Sequence, residues 1–260
     1  MNNNSRLQTH ALTLGYHDVP ICHDISLIIP DNQVTVIIGP NGCGKSTLLR
    51  SLCRLLTPRS GYVSLDQQPL STYSTKTLAQ QIALLPQTMQ APSGITAMDL
   101  VARGRFPHQS LMHQWRNEDK LAVTEAMQLT GITEFADTPV ESLSGGQRQR
   151  VWVAMILAQQ TEIILLDEPT TYLDIAYQIE LLNIFQSLNQ QQGRTIVTVL
   201  HDLNQACRYA DNLVVMVKGS IVAQGKPQDI VNAQLIKQVF DVNCLITPDP
   251  ITHTPMIVPY

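Results

Sequence analysis

Residues Gly39-Pro40-Asn41-Gly42-Cys43-Gly44-Lys45-Ser46-Thr47 gather glycines, a lysine and two hydroxyls into one short loop. That composition suits a nucleoside triphosphate. Glycines let backbone N–H groups turn toward phosphate oxygens, and the N-terminus of a following helix adds favourable partial charge. Lys45 would neutralise the β- and γ-phosphates and the Ser46 hydroxyl would ligate Mg2+. A second element, Ile163-Ile164-Leu165-Leu166-Asp167-Glu168-Pro169, is an apolar run that ends in two acids. Asp167 would hold the Mg2+ hydration shell, and Glu168 would polarise an attacking water as general base. Taken alone, such a pair reads equally well as a helix or turn cap. The third element is Leu143-Ser144-Gly145-Gly146-Gln147, in which the serine is a good N-cap and the glycines leave N–H groups uncovered. Alone it reads equally as a helix start or as an N-terminus that faces a γ-phosphate across a dimer interface; beside a phosphate loop the second reading is favoured.

The surrounding pattern supplies what must position these groups. Val34–Ile38 is a continuous apolar run before the glycine loop, and Ser-Thr-Leu-Leu-Arg-Ser-Leu follows it, so strand, loop and helix succeed one another. Leu12 to Val34 reads as short strands with turn signals at Gly15, Pro20 and Pro30-Asp31-Asn32. From about Gln87 to Ser142 helical patterns dominate, at Ala97–Arg105 and Glu118–Leu129, and a helix opened by Ser144 runs to about Gln159. Strand Ile163–Leu166, helix Ile175–Asn189, strand Thr195–Leu200, helix Asn204–Tyr209 and strands Asn212–Val217 and Ile221–Gln224 complete the pattern. Alternating strands and helices predict a mainly parallel sheet covered on both faces. The expected organisation is a catalytic core over 1–86 with an antiparallel β region, a helical subdomain over 87–160, the second part of the core over 161–247, and a tail over 248–260. That tail carries Pro248, Pro250, Pro255 and Pro259, and is too short and too broken for a regulatory domain.

Bulk properties narrow the function classes. The chain has 260 residues, enough for one large domain or a domain with a subdomain. Charged residues make up 15%, against about 25% in ordinary globular domains, which favours stable partners. The net charge of −4 gives no basic field for nucleic acid. No apolar run follows a basic start at the N-terminus and none reaches bilayer length, so neither a signal peptide nor a spanning helix is expected. Cys22, Cys43, Cys53, Cys207 and Cys244 are scattered, without a CxxC pair, and are expected to be reduced thiols. Cys43, beside a helix N-terminus, is expected to have a lowered pKa and to react with an alkylating reagent. His108 and His113 precede Trp115, but no carboxylate or thiol completes a metal set, and an exposed loop is the better reading.

In this order and spacing the three elements resemble the nucleotide-binding subunit of ABC transporters over about Leu7 to Val242. The resemblance implies an α/β fold: a P-loop NTPase (ABC ATPase) core with a mainly parallel sheet, an antiparallel β region at the N-terminus and an inserted helical subdomain. It implies that Tyr16 stacks on adenine, although an ordinary strand aromatic would look the same. It makes Gln87, after Pro86, the glutamine that touches Mg2+ or water and reports nucleotide state to membrane subunits. Asp174, after Leu173, belongs to the loop that crosses a dimer, and His201 becomes the switch histidine at the γ-phosphate. Ser144, Gly145, Gly146 and Gln147 would close over the ATP held by a second copy.

Thr-Tyr-Leu-Asp around Tyr172 is similar to importers of iron–siderophore complexes, haem and cobalamin rather than to exporters. Segments 101–109, 144–150 and 200–210 resemble the ferric-siderophore group, most of all the ATPases of ferric catecholate (enterobactin-type) uptake. The resemblance thus implies two copies, two integral-membrane permeases and, indirectly, a periplasmic or surface siderophore-binding protein, with the chain peripheral on the cytoplasmic face of the inner membrane. Cobalamin or haem import is the alternative, and an exporter ATPase a weaker one. A soluble ABC protein acting on DNA or ribosomes would call for two cassettes, a long coiled-coil insertion or a basic linker, and none is present.

Overall fold

The computed structural model describes residues 5–17, 19–109, 115–171 and 173–260; Tyr172 and His113 lie outside them. Strands β1 (Leu7–Tyr16) and β2 (Val19–Ile29) form a long hairpin in place of the short strands expected. Gly15 lies inside this ladder rather than at a turn: a Cβ there would meet Val19 O at 2.2 Å. After the turn at 30–33 come β3 (Val34–Ile38) and α1 (Lys45–Leu52). Strands β4 (Ser60–Leu65) and β5 (Gln68–Pro69) complete a four-stranded antiparallel sheet in the order β2-β1-β4-β5.

Helix α2 (Thr75–Gln81) leads into β6 (Ile82–Leu85), and a helical region follows with α3 (Ala97–Ala102), α4 (Asn117–Leu129) and α5 (Gly145–Ala158). An isolated bridge between Thr96 and Pro139 ties the segment before α3 to the segment before α5. The helix expected over Ala97–Arg105 stops at Ala102, and Arg103–His108 tightens into 3-10 turns containing Pro107. Here Gly104 lies against α5, where a Cβ would meet Met155 O at 2.1 Å.

Then come β7 (Ile163–Asp167), α6 (Ile175–Gln192), β8 (Thr195–Val199), α7 (Leu203–Tyr209), β9 (Asn212–Val217) and β10 (Ser220–Gly225). The main sheet has the order β10-β9-β3-β8-β7-β6, and every pairing is parallel except β10 with β9. Both faces are covered, as continuous apolar strands require. Val34, Val36, Ile38, Ile164, Leu166, Ile196, Leu213 and Val215 join the core shared with the helical region. Their alternating neighbours Ile37, Ile163, Leu165, Val197, Val199, Val214 and Met216 join the core under α1 and the antiparallel sheet.

Helices α8 (Pro227–Ile230) and α9 (Ala233–Phe240) precede a hairpin of β11 (Cys244–Pro248) and β12 (Pro255–Pro259). The proline-rich tail is therefore ordered. Pro248 pairs with Pro255 and Pro259 with Cys244, at ladder ends where a missing N–H is tolerated. Asn204 of α7 accepts from Ile257 N at 2.8 Å and donates to Ile257 O at 3.3 Å, and Arg208 meets Asp249 at 2.5 Å.

The 3-10 segment is anchored by a buried ion pair. Arg105 Nε donates to Asp119 Oδ1 at 2.8 Å, with both side chains 5% exposed, and Arg105 Nη1 donates to Ala158 O and Gln160 Oε1. Burial pushes the Asp119 carboxyl up, but hydrogen bonds from Arg105 and from Arg116 N outweigh it and leave the group below its ordinary value. Arg105→Ala, which strands a buried carboxylate, is expected to cost about 3–5 kcal/mol in urea unfolding; a loss below about 1 kcal/mol would show that the pair anchors nothing. Because the folded pKa of Asp119 is depressed, its contribution is complete above the unfolded value of about 3.9 and is lost as pH falls through the lower folded value. Asp119→Asn should therefore flatten the acid limb of the stability curve in that window.

Candidate functional site

Strand β3 delivers the chain into the glycine loop at the C-terminal edge of the parallel sheet, and α1 begins immediately after it. Gly39 (φ 155°) lies so close to β9 that a Cβ would meet Met216 O at 2.2 Å, and one on Gly44 (φ 104°) would meet Cys22 Sγ at 2.6 Å. Only glycine allows this wrapping. No side chain caps α1, so its first-turn N–H groups are left for an external acceptor. Lys45 is buried, and its Nζ donates to Gly39 O at 2.9 Å and Pro40 O at 3.1 Å, which holds the ammonium over the loop.

Ser46 Oγ donates to Asp167 Oδ1 at 2.7 Å, uniting the two motifs across α1 and β7. Burial raises the Asp167 pKa, against the Ser46 hydrogen bond and the nearby Arg50 and Lys45 charges. A hard divalent cation fits such a site: its donors are a hydroxyl and a buried carboxylate, and its charge would offset the cost of burying that carboxylate. Together Asn41, Gly42, Gly44, Lys45, Ser46, Thr47, Gln87, Glu168, His201 and Ile21 line a cleft of about 360 Å3.

Glu168 turns sharply out of β7 in a left-handed conformation (φ 54°), unusual for a residue with a Cβ. This rotates its carboxylate away from Asp167 and into the cleft. There Gln87 Nε2 donates to Oε2 at 2.6 Å, and His201 Nε2 lies 2.7 Å from Oε1. Thr171 Oγ1 donates to the same Oε2 at 3.4 Å, a partner that no sequence signal pointed to. The structure thus brings together Lys45, Ser46, Asp167, Glu168, Gln87 and His201 from four loops.

Other expected residues lie elsewhere. Ser144 Oγ accepts from Gln147 N at 3.3 Å, and Gln147 Oε1 accepts from Ser144 N at 2.9 Å, a reciprocal cap at the exposed start of α5. None of Ser144, Gly145, Gly146 or Gln147 lines the phosphate-loop cleft. Gly145 instead borders a neighbouring cleft of about 490 Å3 with Met89, Ala91, Pro92, Arg148 and Trp152, which shares Gln87 and Glu168 with the first. Asp174 caps α6 by accepting from Tyr177 N at 3.0 Å. Tyr16, at the end of β1, is 39% exposed, and Arg50 of α1 donates to its hydroxyl at 3.4 Å.

The expectation for Cys43 is overturned. Its side chain is buried, and burial raises the thiol pKa in spite of Lys45 and the local N–H groups. Cys22 beside it is pushed up to about 12, again by burial. Proximity to a helix N-terminus is outweighed by exclusion from water, so Cys43 fills space against the close-packed loop. His108 is half-buried on Gln159 O at 2.8 Å, and no group of His, Cys, Asp or Glu that could hold a metal occurs among the described residues.

Comparison with known proteins places the chain in a family. The family model described as ABC transporter matches residues 22–171. The chain is 54% identical to the ferric enterobactin transport ATP-binding protein FepC of Escherichia coli, covering 98% of this chain and 94% of that protein. It is 52% identical to the petrobactin import ATP-binding protein FpuD of Bacillus anthracis, with 98% and 93% covered. Among solved structures it superposes on a chain of an inward-facing transporter described as metal-chelate type, with a TM-score of 0.84, 26% identity and 99% and 98% covered. It also matches an ATP-binding cassette solved as a dimer in a post-hydrolysis state with ADP and Pi (TM-score 0.76, 26% identity, 85% and 98% covered). With a family model spanning more than half of its length and relatives of this identity along nearly all of it, the chain belongs to the ABC transporter family and is an ABC ATPase.

Proposed function

We propose that the chain is the energy-coupling subunit of an importer that moves a ferric-siderophore complex, of the catecholate type, across the cytoplasmic membrane. The observation that carries the mechanism is the Glu168 carboxylate held between Gln87 and His201 beside the Ser46–Asp167 pair. In this reading the glycine loop and Lys45 bind the phosphates of ATP, and Tyr16 stacks on adenine. Bound Mg2+ would be held by Ser46 and Asp167, with Gln87 near, and would supply charge neutralisation at the phosphates. Glu168 accepts a proton from the attacking water, and His201 positions that water and the carboxylate.

The signature residues Ser144 to Gln147 lie outside the cleft of their own chain, which supports a pair of copies in which each turn closes over the other's nucleotide. Asp174 sits in the loop that crosses between the copies. The neighbouring cleft, lined by apolar Met89, Pro92 and Trp152 and by polar Glu141, Arg148, Gln87 and Glu168, offers a permease a seat of mixed character with direct access to the Glu168 carboxylate. No helix among the described residues is long and apolar enough to cross a membrane, in keeping with peripheral attachment at the cytoplasmic face through two permeases. Residues 87–160 act as the moving helical subdomain against the core of 1–86 and 161–247. The names of the two relatives, for ferric enterobactin and for petrobactin, support the iron-chelate cargo over cobalamin or haem.

Glu168→Gln should bind ATP and lose hydrolysis by about a hundred- to ten-thousand-fold, the range of a general base, while accumulating as an ATP-bound dimer in sedimentation. Normal hydrolysis by a monomer would refute the role of the base. In cells lacking the subunit, uptake of labelled iron as a catecholate complex should fail and be rescued by the wild type but not by Glu168→Gln. Loss of hydroxamate or citrate uptake instead would reassign the cargo, and unchanged uptake of all three would reject iron chelates.

A further inference from the structure

We propose that Tyr177 is a positioning residue that fixes the signature turn to the Asp174 loop, so that the two elements move as one. Tyr177 occupies the first turn of α6, where its N–H is held by Asp174 Oδ1 at 3.0 Å. Its ring is the nearest group to the second signature glycine, leaving just enough room for a Cβ: one built on Gly146 would sit 3.5 Å from Tyr177 Cδ2. Arg150, one turn further along α5 from Gly146, reaches the same ring. Its guanidinium lies 4.5 Å from the centre of the Tyr177 ring, and its Nη2 donates to Glu180 Oε2 at 2.5 Å, one turn further along α6.

Backbone N–H, aromatic face and cation therefore chain Asp174 through Tyr177 to Arg150, one helical turn from Gly146 on α5. Gln149 Nε2 adds a parallel tie to Pro169 O, on the segment that leaves Glu168. The body of α5 is buried against α3 and α4, whereas its first turn is exposed and capped by its own Ser144 and Gln147, so the Arg150 and Gln149 contacts are what tie that turn toward α6 and the segment after Glu168. The functional consequence builds on the reading that Ser144 to Gln147 close over the nucleotide of a second copy. A signature turn free to rock would meet that nucleotide less often in the right pose, weakening dimer closure without touching the chain's own phosphate loop.

The test uses the full-length chain carrying Glu168→Gln, with Tyr177→Ala, Tyr177→Phe or Arg150→Met added. Dimer formation is followed by sedimentation against Mg2+-ATP concentration, and binding of a fluorescent ATP analogue is measured at protein concentrations that keep the chain monomeric. Tyr177→Ala should raise the ATP needed for half-maximal dimer about tenfold, as loss of a packed ring and its cation contact implies, and leave monomer affinity unchanged. Tyr177→Phe should behave as the parent, because the ring and not the hydroxyl makes the contact, and Arg150→Met should fall between them. Unaltered dimerisation by Tyr177→Ala, an equal loss of monomer affinity, or failure of Tyr177→Phe alongside Tyr177→Ala would each overturn the proposal. A parent that never dimerises with ATP would overturn the pairing itself, and the proposal with it, a result told apart by the parent alone.

Discussion

Parallel pairing of β3, β8, β7 and β6 is the constraint on which everything else depends. Ile37 pairs with Val199, Val199 with Asp167, and Leu166 with Leu85, so four strands end at one edge of the sheet. Past that edge the glycine loop, Glu168, His201 and Gln87 leave their strands side by side. A one-residue slip of β7 would exchange its faces, taking Leu166 out of one core and Leu165 out of the other. The cost of that slip is what holds the carboxylates in register with Ser46. Side chains drawn from distant parts of the sequence thus meet because apolar burial, not any polar attraction, sets the frame.

Within that frame the adjacent acids are made unlike by backbone geometry. Asp167 is the last residue of the strand and keeps its alternation, so it is buried against Ser46 and its pKa rises with desolvation. Glu168 takes a left-handed turn and reaches the cleft, where two nitrogen-bearing side chains and a hydroxyl hold its oxygens. Strain of this kind persists only where surrounding structure enforces it, and it concentrates at working sites. Adjacent in sequence, the two acids thus differ in burial and in every partner.

Much of this was legible in the sequence because its signals are local. A strand, a glycine loop and a helix start lie within about twenty residues, and the apolar runs of β3, β7, β8 and β9 mark a sheet buried on both faces. What escaped was set by distant packing. Cys43 had the neighbours of a reactive thiol, yet its burial comes from packing in a core with Cys22 and Met216, strands away in the chain. The prolines of the tail looked like breakers, and only the ladder shows them at its ends, with Asn204 and Arg208 of α7 holding the hairpin. Segment 101–109 was noted for likeness to other chains, whereas its physical work is to bury Arg105 on Asp119 and pin the helical region to the end of α5. The Arg150 guanidinium over the ring of Tyr177 had no signal at all, since a residue of α5 and one of α6 are joined only by the fold.

The geometry also accounts for why such a chain is built as half of a device. The signature turn satisfies its own Ser144 and Gln147 reciprocally and presents its glycine N–H groups outward, while the phosphate-loop helix lacks any side-chain cap. One helix start is stable without a ligand and the other is completed by one. A site made only of the first would bind anions weakly and without consequence, and one made only of the second would hold nucleotide without reporting it. The two starts are separated on one chain, and the signature turn is joined to the segment after Glu168 through Gln149 and Pro169. Coupling between two such sites requires a link of this kind and two alternative contacts at its ends.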